Sequence, residues 1–344
     1  MSATIIDFVH PQLHEPLGQC ASVSAGDGGP VTVELRFAAA RFAPELASAL
    51  KAHSGHEAQI GWAVPTQSVR RGLKPIAGIA NIIAVASAKG GVGKSTTAAN
   101  LALALRAEGA RVGLLDADIY GPSLPLLMGL TDQRPVSKDG KHIEPLMAHD
   151  IACMSVGFLV DPEQPMVWRG PMVTQALRQL LDDTLWGELD YLVVDLPPGT
   201  GDIQLTLSQQ VPLTGAVIVT TPQDIALMDA RRGVKMFEKV QVPVLGVVEN
   251  MSTHVCSKCG HEEAIFGSGG GAMMAEQFDV PLLASLPLDL RIREQADVGV
   301  PTVAHDPDAE LAQRYFALAR GAGARLAAKS KDYSRAFPNI VVED

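Results

Sequence analysis

Several features are scarce or missing in this 344-residue sequence, and each absence excludes a class of protein. No apolar stretch of about 18 residues or more runs without charges or turn signals, so a membrane-spanning helix is not expected. Positive charge is not in excess, because the formal net charge is −10. This acidity opposes nonspecific attraction to DNA, RNA or anionic lipid. We therefore expect no nucleic-acid partner and no membrane partner.

Cysteine is also rare, with 4 residues in the whole chain. The first residues lack a basic region followed by an apolar one, which is the pattern of a secretory leader. The sequence thus predicts a soluble, cytoplasmic protein. In such a reducing compartment, cysteines that bind a metal or lie buried are more common than disulfides.

Apolar segments alternate with helical patterns from residue 81 onward. This alternation predicts an α/β fold with a mostly parallel sheet covered by helices on both faces. The amphipathic stretch Ala309–Lys329 is expected to pack against this sheet. The strand candidates are Ile82–Ala86, Val112–Leu115, Tyr191–Val194, Ala216–Thr220, Val244–Val248 and Leu282–Leu286.

The residues before that region have a different pattern. Val31–Phe37 is typical of a strand and Pro44–His53 of a helix, so we expect a small α+β module that ends in a turn-rich linker. The predicted divisions are an N-terminal module at 1–76, a phosphate-loop ATPase domain at 77–330 and a C-terminal tail at 331–344.

A phosphate-binding loop is predicted between the first strand candidate of the sheet and the helix after it. Glycines let backbone N–H groups cradle a polyphosphate at the positive end of a helix. Lys94 can then reach the terminal phosphates and Ser95 can offer its hydroxyl to Mg²⁺, while a second lysine, Lys89, stands at the front of the loop. The candidate nucleotide-binding residues here are Ala88, Lys89, Gly90, Gly91, Val92, Gly93, Lys94, Ser95 and Thr96.

Acidic residues follow two of the other strand candidates. Ligands in this architecture gather at the carboxyl ends of the strands, and phosphoryl transfer needs carboxylates that hold hydrated Mg²⁺ and orient water. We assign Asp116 and Asp195 to the outer shell of the metal and Asp118 to the attacking water. The backbone N–H of Gly199 is suited to the terminal phosphate. Asn250 is a candidate for contact with the adenine edge, although a simple turn is nearly as common for such a residue.

Two cysteines lie three positions apart in a turn-rich segment. Cys256 and Cys259 form a knuckle that can grip one side of a metal centre. One pair cannot complete a four-thiolate site, and Cys20 and Cys153 are isolated in sequence. Two copies of the pair in a twofold dimer would supply four thiolates, enough for an iron–sulfur cluster and equally enough for zinc. Without further context, zinc or a redox pair is the more common use of such a motif.

Longer strings of residues bring a family resemblance. Lys89–Thr96 resembles the deviant Walker A loop of the MinD, ParA and nitrogenase iron protein class of P-loop NTPases. Within that class, the region from about Ile76 to Val303 resembles the Mrp/ApbC family of iron–sulfur cluster carriers. The strings that carry this resemblance are Leu114–Ser123, Trp168–Met172, Asp190–Asp202 and Glu249–Ser252.

The resemblance implies an ATP-hydrolysing homodimer that carries a cluster, expected to be [4Fe–4S], between two subunits. It would receive the cluster from an assembly scaffold and deliver it to apo iron–sulfur proteins. Lys89 of one subunit would act on the nucleotide of the other. The implied catalytic residues are Lys89, Lys94 and Asp118, and the implied metal ligands are Cys256 and Cys259 for the cluster and Ser95 for Mg²⁺.

Two other functions are compatible with the motifs. One is a partition or positioning ATPase of the ParA or MinD type, which the acidity of the chain disfavours. The other is a zinc-stabilised nucleotide switch without a cluster. Arg231, Arg232 and Lys235 lie on one predicted helix, where DNA contact is possible but a solvated surface is the more common role.

Overall fold

The computed structural model describes residues 2–25, 30–70, 72–159, 170–256 and 258–329. The predicted tail 331–344 and two residues of the family strings, Trp168 and Arg169, lie outside the described residues. Within the described ranges, no helix is both long enough and apolar enough to cross a bilayer.

Residues 2–62 form a small α+β unit around a three-stranded sheet. The strand and the helix predicted from the sequence over 31–37 and 44–53 are confirmed. The central strand pairs antiparallel with the strand before it and parallel with the strand after it. The elements are α1 (Ser2–Ile6), α2 (Leu17–Cys20), β1 (Ala21–Ala25), β2 (Val31–Leu35), α3 (Ala43–Ser54) and β3 (Ala58–Trp62).

The rest of the described chain is built on one large sheet and a separate two-stranded hairpin. All six strand candidates of the sequence are confirmed within one or two residues. The edge strand Leu146–Ala148 and its neighbour Ile151–Ser155 were not predicted, because the short apolar run at 151–154 is also typical of any buried segment. The strands are β4 (Ile82–Ala86), β5 (Val112–Asp116), β6 (Leu146–Ala148), β7 (Ile151–Ser155), β8 (Tyr191–Asp195), β9 (Gly215–Thr220), β10 (Val244–Asn250), β11 (His254–Val255), β12 (Glu262–Glu263) and β13 (Leu282–Leu286).

The eight strands of the large sheet lie in the order β13-β10-β9-β4-β8-β5-β7-β6. Neighbouring strands are parallel, except that β6 at the edge is antiparallel to β7. Every residue of β4, β5, β8 and β9 is buried. Strands buried on both faces have continuous apolar runs, which is why the sequence identifies them so clearly.

Helices cover both faces of this sheet. The crossover from β4 to β5 moves toward one edge and the crossover from β9 to β10 toward the other. Because such crossovers are right-handed, their helices lie on opposite faces. The last described helix packs against the helix after β4 and against β13, as predicted for 309–329. The helices are α4 (Lys94–Ala107), α5 (Leu124–Leu127), α6 (Gly170–Asp183), α7 (Asp202–Gln210), α8 (Asp224–Lys239), α9 (Gly270–Gln277), α10 (Leu290–Asp297), α11 (Thr302–His305) and α12 (Glu310–Lys329).

Two apolar cores result from this arrangement. The larger lies around the eight-stranded sheet and the smaller within the N-terminal unit. Helix α12 contributes to both, because Tyr315 and Phe316 belong to the larger core while Ala324 and Ala327 belong to the smaller. The N-terminal unit is therefore packed onto the large domain through α12.

Candidate functional site

The loop between β4 and α4 has the backbone of a phosphate cradle. Gly91 and Gly93 have φ angles of 80° and 81°, which residues with a side chain rarely adopt. At the front of the loop, the Ser87 hydroxyl donates to the carbonyl oxygen of Lys89 over 2.9 Å. The loop ends where α4 begins at Lys94, and the first N–H groups of a helix have no partner within the helix. These free donors and the helix dipole favour an anion at this position.

The side chains of the loop differ in exposure. Lys94 and Val92 are buried. Lys89 is exposed. Of the remaining candidates, Gly90 and Gly91 are exposed, and Ala88, Gly93, Ser95 and Thr96 are half-buried.

Lys94 forms a buried ion pair with Asp195 at the end of β8. Its Nζ lies 2.5 Å from Asp195 Oδ1, and the two side chains are 6% and 4% exposed. The Ser95 hydroxyl accepts a longer bond from the same ammonium, at 3.4 Å. Burial raises the pKa of Asp195, while the Lys94 ammonium opposes that rise. A phosphate in the loop would compete with this carboxylate for Lys94.

Asp116, at the end of β5, holds the loop that follows it. Its Oδ1 accepts from the N–H of Asp118 at 3.0 Å, and its Oδ2 accepts from the N–H of Ser123 and the hydroxyl of Ser155 at 3.0 and 3.1 Å. Complete burial raises the pKa of Asp116 to about 7. These bonds anchor the loop that carries Asp118, and the place of Asp116 in the outer shell of a metal stays a prediction. Asp116 positions Asp118.

Asp118 is the most accessible of the three carboxylates, although it is only 9% exposed. Burial raises its pKa, while the Lys94 charge and the backbone N–H groups of Tyr120 and Gly121 lower it. The side chain thus lies near the end of α4 that is expected to bind phosphate. This position is compatible with the predicted role of Asp118 in orienting water.

The charges at this edge of the sheet fit a divalent cation that arrives with phosphate. The charge of one ammonium, Lys94, acts on Asp116, Asp118 and Asp195. Burial raises all three carboxyl pKa values, and Asp195 raises the other two further by repulsion. No group of three or more His, Cys, Asp or Glu side chains in the described part of the chain is arranged to hold a metal alone. Mg²⁺ commonly binds through one or two protein oxygens, water and phosphate. Ser95 stays the predicted source of such an oxygen.

The N–H of Gly199 is not free in this structure. It donates to the carbonyl oxygen of Ser87 at 2.9 Å, and the nearby N–H of Leu196 donates to Val85 at 3.0 Å. These bonds extend the β4–β8 pairing into the loop after β8. The predicted contact of this N–H with a terminal phosphate would require it to leave the bond to Ser87. The φ angle of 106° at Gly199 shows a backbone that only glycine adopts readily.

Asn250, at the end of β10, contacts the phosphate loop itself. Its Nδ2 donates to the carbonyl oxygen of Val92 at 2.9 Å. A Cβ atom added at Gly93 would lie 2.1 Å from the same Nδ2, so the loop backbone packs directly on this amide. The amide of Asn250 therefore holds the phosphate loop, and its contact with an adenine edge stays a prediction.

Cys256 and Cys259 lie in the hairpin formed by β11 and β12. The N–H of Cys256 donates to His261 at 2.9 Å and the N–H of Gly260 donates to Cys256 at 2.8 Å, which closes a tight knuckle. Backbone N–H groups of Lys258 and Cys259 lower the pKa of the Cys256 thiol. By contrast, burial raises the pKa values of Cys20 and Cys153 to about 12. The backbone of the knuckle thus favours the thiolate of Cys256, and thiolate is the form of cysteine that binds metals.

Two buried polar residues at the site were missed in the sequence analysis. Ser155 ends β7 and donates to Asp116, and Glu249 accepts from the N–H of Gly271 at the start of α9 with a 2.5 Å bond. Both residues lie at the end of an apolar run, which is the same sequence pattern that identified Asp116 and Asp195. It was missed at Ser155 because β7 itself was not predicted.

Comparison with known proteins identifies the family. The family model described as "ParA: NUBPL iron-transfer P-loop NTPase" matches residues 78–322. The iron-sulfur cluster carrier protein of Haemophilus influenzae is 53% identical over 335 residues, which cover 94% of this chain and 90% of that protein. The iron-sulfur cluster transfer protein NUBPL of mouse is 53% identical over 266 residues, covering 76% of this chain and 83% of that protein.

Solved structures support the same fold. A nucleotide-binding protein from Archaeoglobus fulgidus in complex with ADP is 36% identical, has a TM-score of 0.60 and covers 69% of this chain and 91% of its own. The septum site-determining protein MinD of Pyrococcus horikoshii, complexed with Mg-ADP, is 26% identical with a TM-score of 0.51 and covers 70% and 94%. The chain is therefore a P-loop NTPase, and it belongs to the Mrp/ApbC family of NUBPL-type iron-transfer proteins.

Proposed function

We propose that this protein binds and hydrolyses ATP and carries an iron–sulfur cluster as a homodimer. One observation supports the proposal above all others. A single chain combines a phosphate loop that holds a buried Lys94 with a two-cysteine knuckle in which backbone N–H groups favour the Cys256 thiolate. Its relatives, which are named cluster carrier and cluster transfer proteins, agree with this combination.

The nucleotide chemistry follows from the charges around α4. Lys94 exchanges Asp195 for the phosphates. Ser95 would hold Mg²⁺, which would offset charge on the phosphates and the carboxylates. Asp118 orients the attacking water. The exposed Lys89 reaches the nucleotide of the other subunit, so hydrolysis depends on the dimer.

The cluster is the cargo of this protein. One chain supplies two thiolates, and a second copy related by a twofold axis supplies the other two. Four thiolates are the common ligand set of a [4Fe–4S] cluster. We propose that the recipients are apo iron–sulfur proteins, that an assembly scaffold is the donor, and that the protein acts in the cytoplasm without a membrane or nucleic-acid partner.

Anaerobic reconstitution with ferrous iron and sulfide tests the proposal. We expect the wild-type protein to gain iron, sulfide and a cluster absorption band, and the double variant Cys256→Ser/Cys259→Ser to gain none. The matched control is Cys20→Ala/Cys153→Ala, which also removes two thiols but takes them from the buried positions. Equal cluster content in the wild type and the Cys256/Cys259 variant would reject the carrier function.

Zinc is the competing occupant of the knuckle. The tight hairpin with Gly260 at a φ of 70° suits a zinc site as well as a cluster site. Metal analysis of protein purified without oxygen separates the two. Zinc at half-stoichiometry with no iron would favour the nucleotide switch over the carrier.

A further inference from the structure

The end of β10 lies between the phosphate loop and the cysteine knuckle. On the loop side, the Asn250 amide holds the carbonyl oxygen of Val92 at 2.9 Å. That carbonyl and the N–H of Gly93 belong to one planar peptide unit. Turning the Gly93 N–H toward a phosphate therefore also turns the acceptor of Asn250. The orientation of this peptide and the bond to Asn250 cannot change independently.

On the other side, the segment between Asn250 and Cys256 is held closely along its length. Ser252 donates through its N–H and its hydroxyl to the carbonyl oxygen of Leu286, at 2.9 and 3.0 Å. The ring Nδ1 of His254 donates to Leu288 at 3.0 Å. His254 is also the first residue of β11, which runs into the knuckle.

Because residues 251–255 are held by these bonds, a displacement at Asn250 is passed along the segment and is not taken up by loose backbone. Asn250 is still paired with Leu286 in the sheet, and Glu249 beside it accepts from the start of α9. Met251 has a positive φ of 58°, which marks a tight turn directly after the strand. The bonds of Ser252 and His254 thus leave little slack between Asn250 and Cys256 that could absorb a shift of Asn250.

We infer that Asn250 is a positioning residue that couples the nucleotide state of the phosphate loop to the geometry of the cysteine knuckle. The inference rests on the proposed function, and it names the regulation of that function. Phosphate binding reorients the Val92–Gly93 peptide, which loosens or tightens the bond to Asn250. The change reaches Cys256 through residues 251–255. Because coupling between two binding sites is reciprocal, a metal held by the knuckle changes nucleotide affinity by the same factor.

Thiol alkylation in the full-length, metal-free protein tests the coupling without iron. Cys20 and Cys153 are buried with raised pKa values, so an alkylating reagent reports on Cys256 and Cys259. In the wild type, we expect the alkylation rate to change by roughly fivefold or more between nucleotide-free protein and protein saturated with Mg²⁺ and a non-hydrolysable ATP analogue.

Asn250→Asp is the main variant, because it keeps the side-chain shape but replaces the donor to Val92 with an oxygen that repels the carbonyl. Asn250→Ala removes the group altogether. We expect both variants to show one alkylation rate with and without saturating nucleotide. The matched control is Asn81→Ala, which removes a buried amide at the other end of β4 that bonds to Pro65 and Asp190. This control should keep the wild-type response.

Two results would overturn the inference. One is a wild-type protein whose knuckle reacts at the same rate in both states. The other is a nucleotide response that persists in folded Asn250→Asp and Asn250→Ala. Neither result bears on cluster content, which the reconstitution with the cysteine variants measures separately.

Discussion

The two ends of helix α4 each carry a buried ion pair, but the pairs differ in how completely they are satisfied. At the N-terminal end, Lys94 meets Asp195 at 2.5 Å beside two further carboxylates with raised pKa values. At the C-terminal end, Glu108 meets Arg320 at 2.7 Å, and their side chains are 0% and 4% exposed. One end of α4 therefore has more negative than positive buried charge, whereas at the other end the buried charges are matched.

The balanced end has partners for every charged group. Arg320 also donates to Gln12 at 2.7 Å, and its guanidinium lies 4.7 Å from the ring centre of Phe42. The other oxygen of Glu108 accepts from the backbone N–H groups of Arg41 and Phe42 at 2.8 and 3.2 Å. This network fastens the N-terminal unit to the end of α4. We conclude that a buried pair whose charged groups all have partners is structural, whereas a pair with surplus negative charge is suited to bind a cation.

The largest expected effect is a loss of stability when the ion pair at the C-terminal end of α4 is broken. Arg320→Met leaves Glu108 buried without its counter-charge, and losing one partner of a buried pair costs about 3–5 kcal/mol. We expect the melting temperature to fall by roughly 2–4 °C for each kcal/mol, measured by calorimetry. Adding Glu108→Gln should recover part of this loss, and Arg293→Met, which removes an exposed pair with Asp297, should cost under about 1 kcal/mol. An unchanged melting temperature in Arg320→Met would contradict the assignment.

The next largest expected effect is a loss of ATP hydrolysis when the ion pair at the N-terminal end of α4 is broken. Lys94→Met removes the ammonium that faces the phosphates, so we expect ATP hydrolysis to fall by at least about 100-fold, or about 2.7 kcal/mol in barrier height. Its stability loss should be smaller than that of Arg320→Met, because Asp195 already has a raised pKa and can take up a proton. Steady-state hydrolysis and calorimetry measure both quantities. A Lys94→Met enzyme within tenfold of the wild-type rate would contradict this account.

A smaller expected effect is the pH dependence of stability that the buried Asp116 introduces. The pKa of Asp116 is about 7 in the folded chain and 3.8 as its ordinary value, so the native state holds the extra proton between these limits. Stability of the nucleotide-free protein should therefore fall as pH rises from about 5 to 7, by at most about 1.4 kcal/mol per pH unit for one proton. Denaturant unfolding of Asp116→Asn should show a flatter slope. Asp182→Asn, at the surface, should keep the wild-type slope, and equal slopes in all three proteins would contradict the prediction.

Local sequence patterns were sufficient to predict the site at the N-terminal end of α4, but they gave no information about the ion pair at its C-terminal end. The phosphate loop, Lys94 and the carboxylates are marked by short motifs that follow buried apolar strands, so their meeting at one sheet edge was predictable. Glu108 and Arg320 are 212 residues apart in the chain, and no local pattern joins them. Their contact depends on how α12 packs, which is tertiary information.

The individual hydrogen bonds of the site could not be predicted from the sequence either. The N–H of Gly199 and the amide of Asn250 both had plausible ligands, yet each bonds to a backbone carbonyl, of Ser87 and Val92 respectively. A motif identifies a residue type and its approximate place. It does not fix the peptide orientation that decides which partner the residue binds.

Native mass spectrometry of the anaerobically reconstituted protein tests the central claim most directly, because it counts chains, iron and sulfide in one particle. We predict a species of two chains with a single cluster, and its loss in Cys256→Ser/Cys259→Ser. A protein that remains a single chain, or that retains zinc and no iron, would contradict the account.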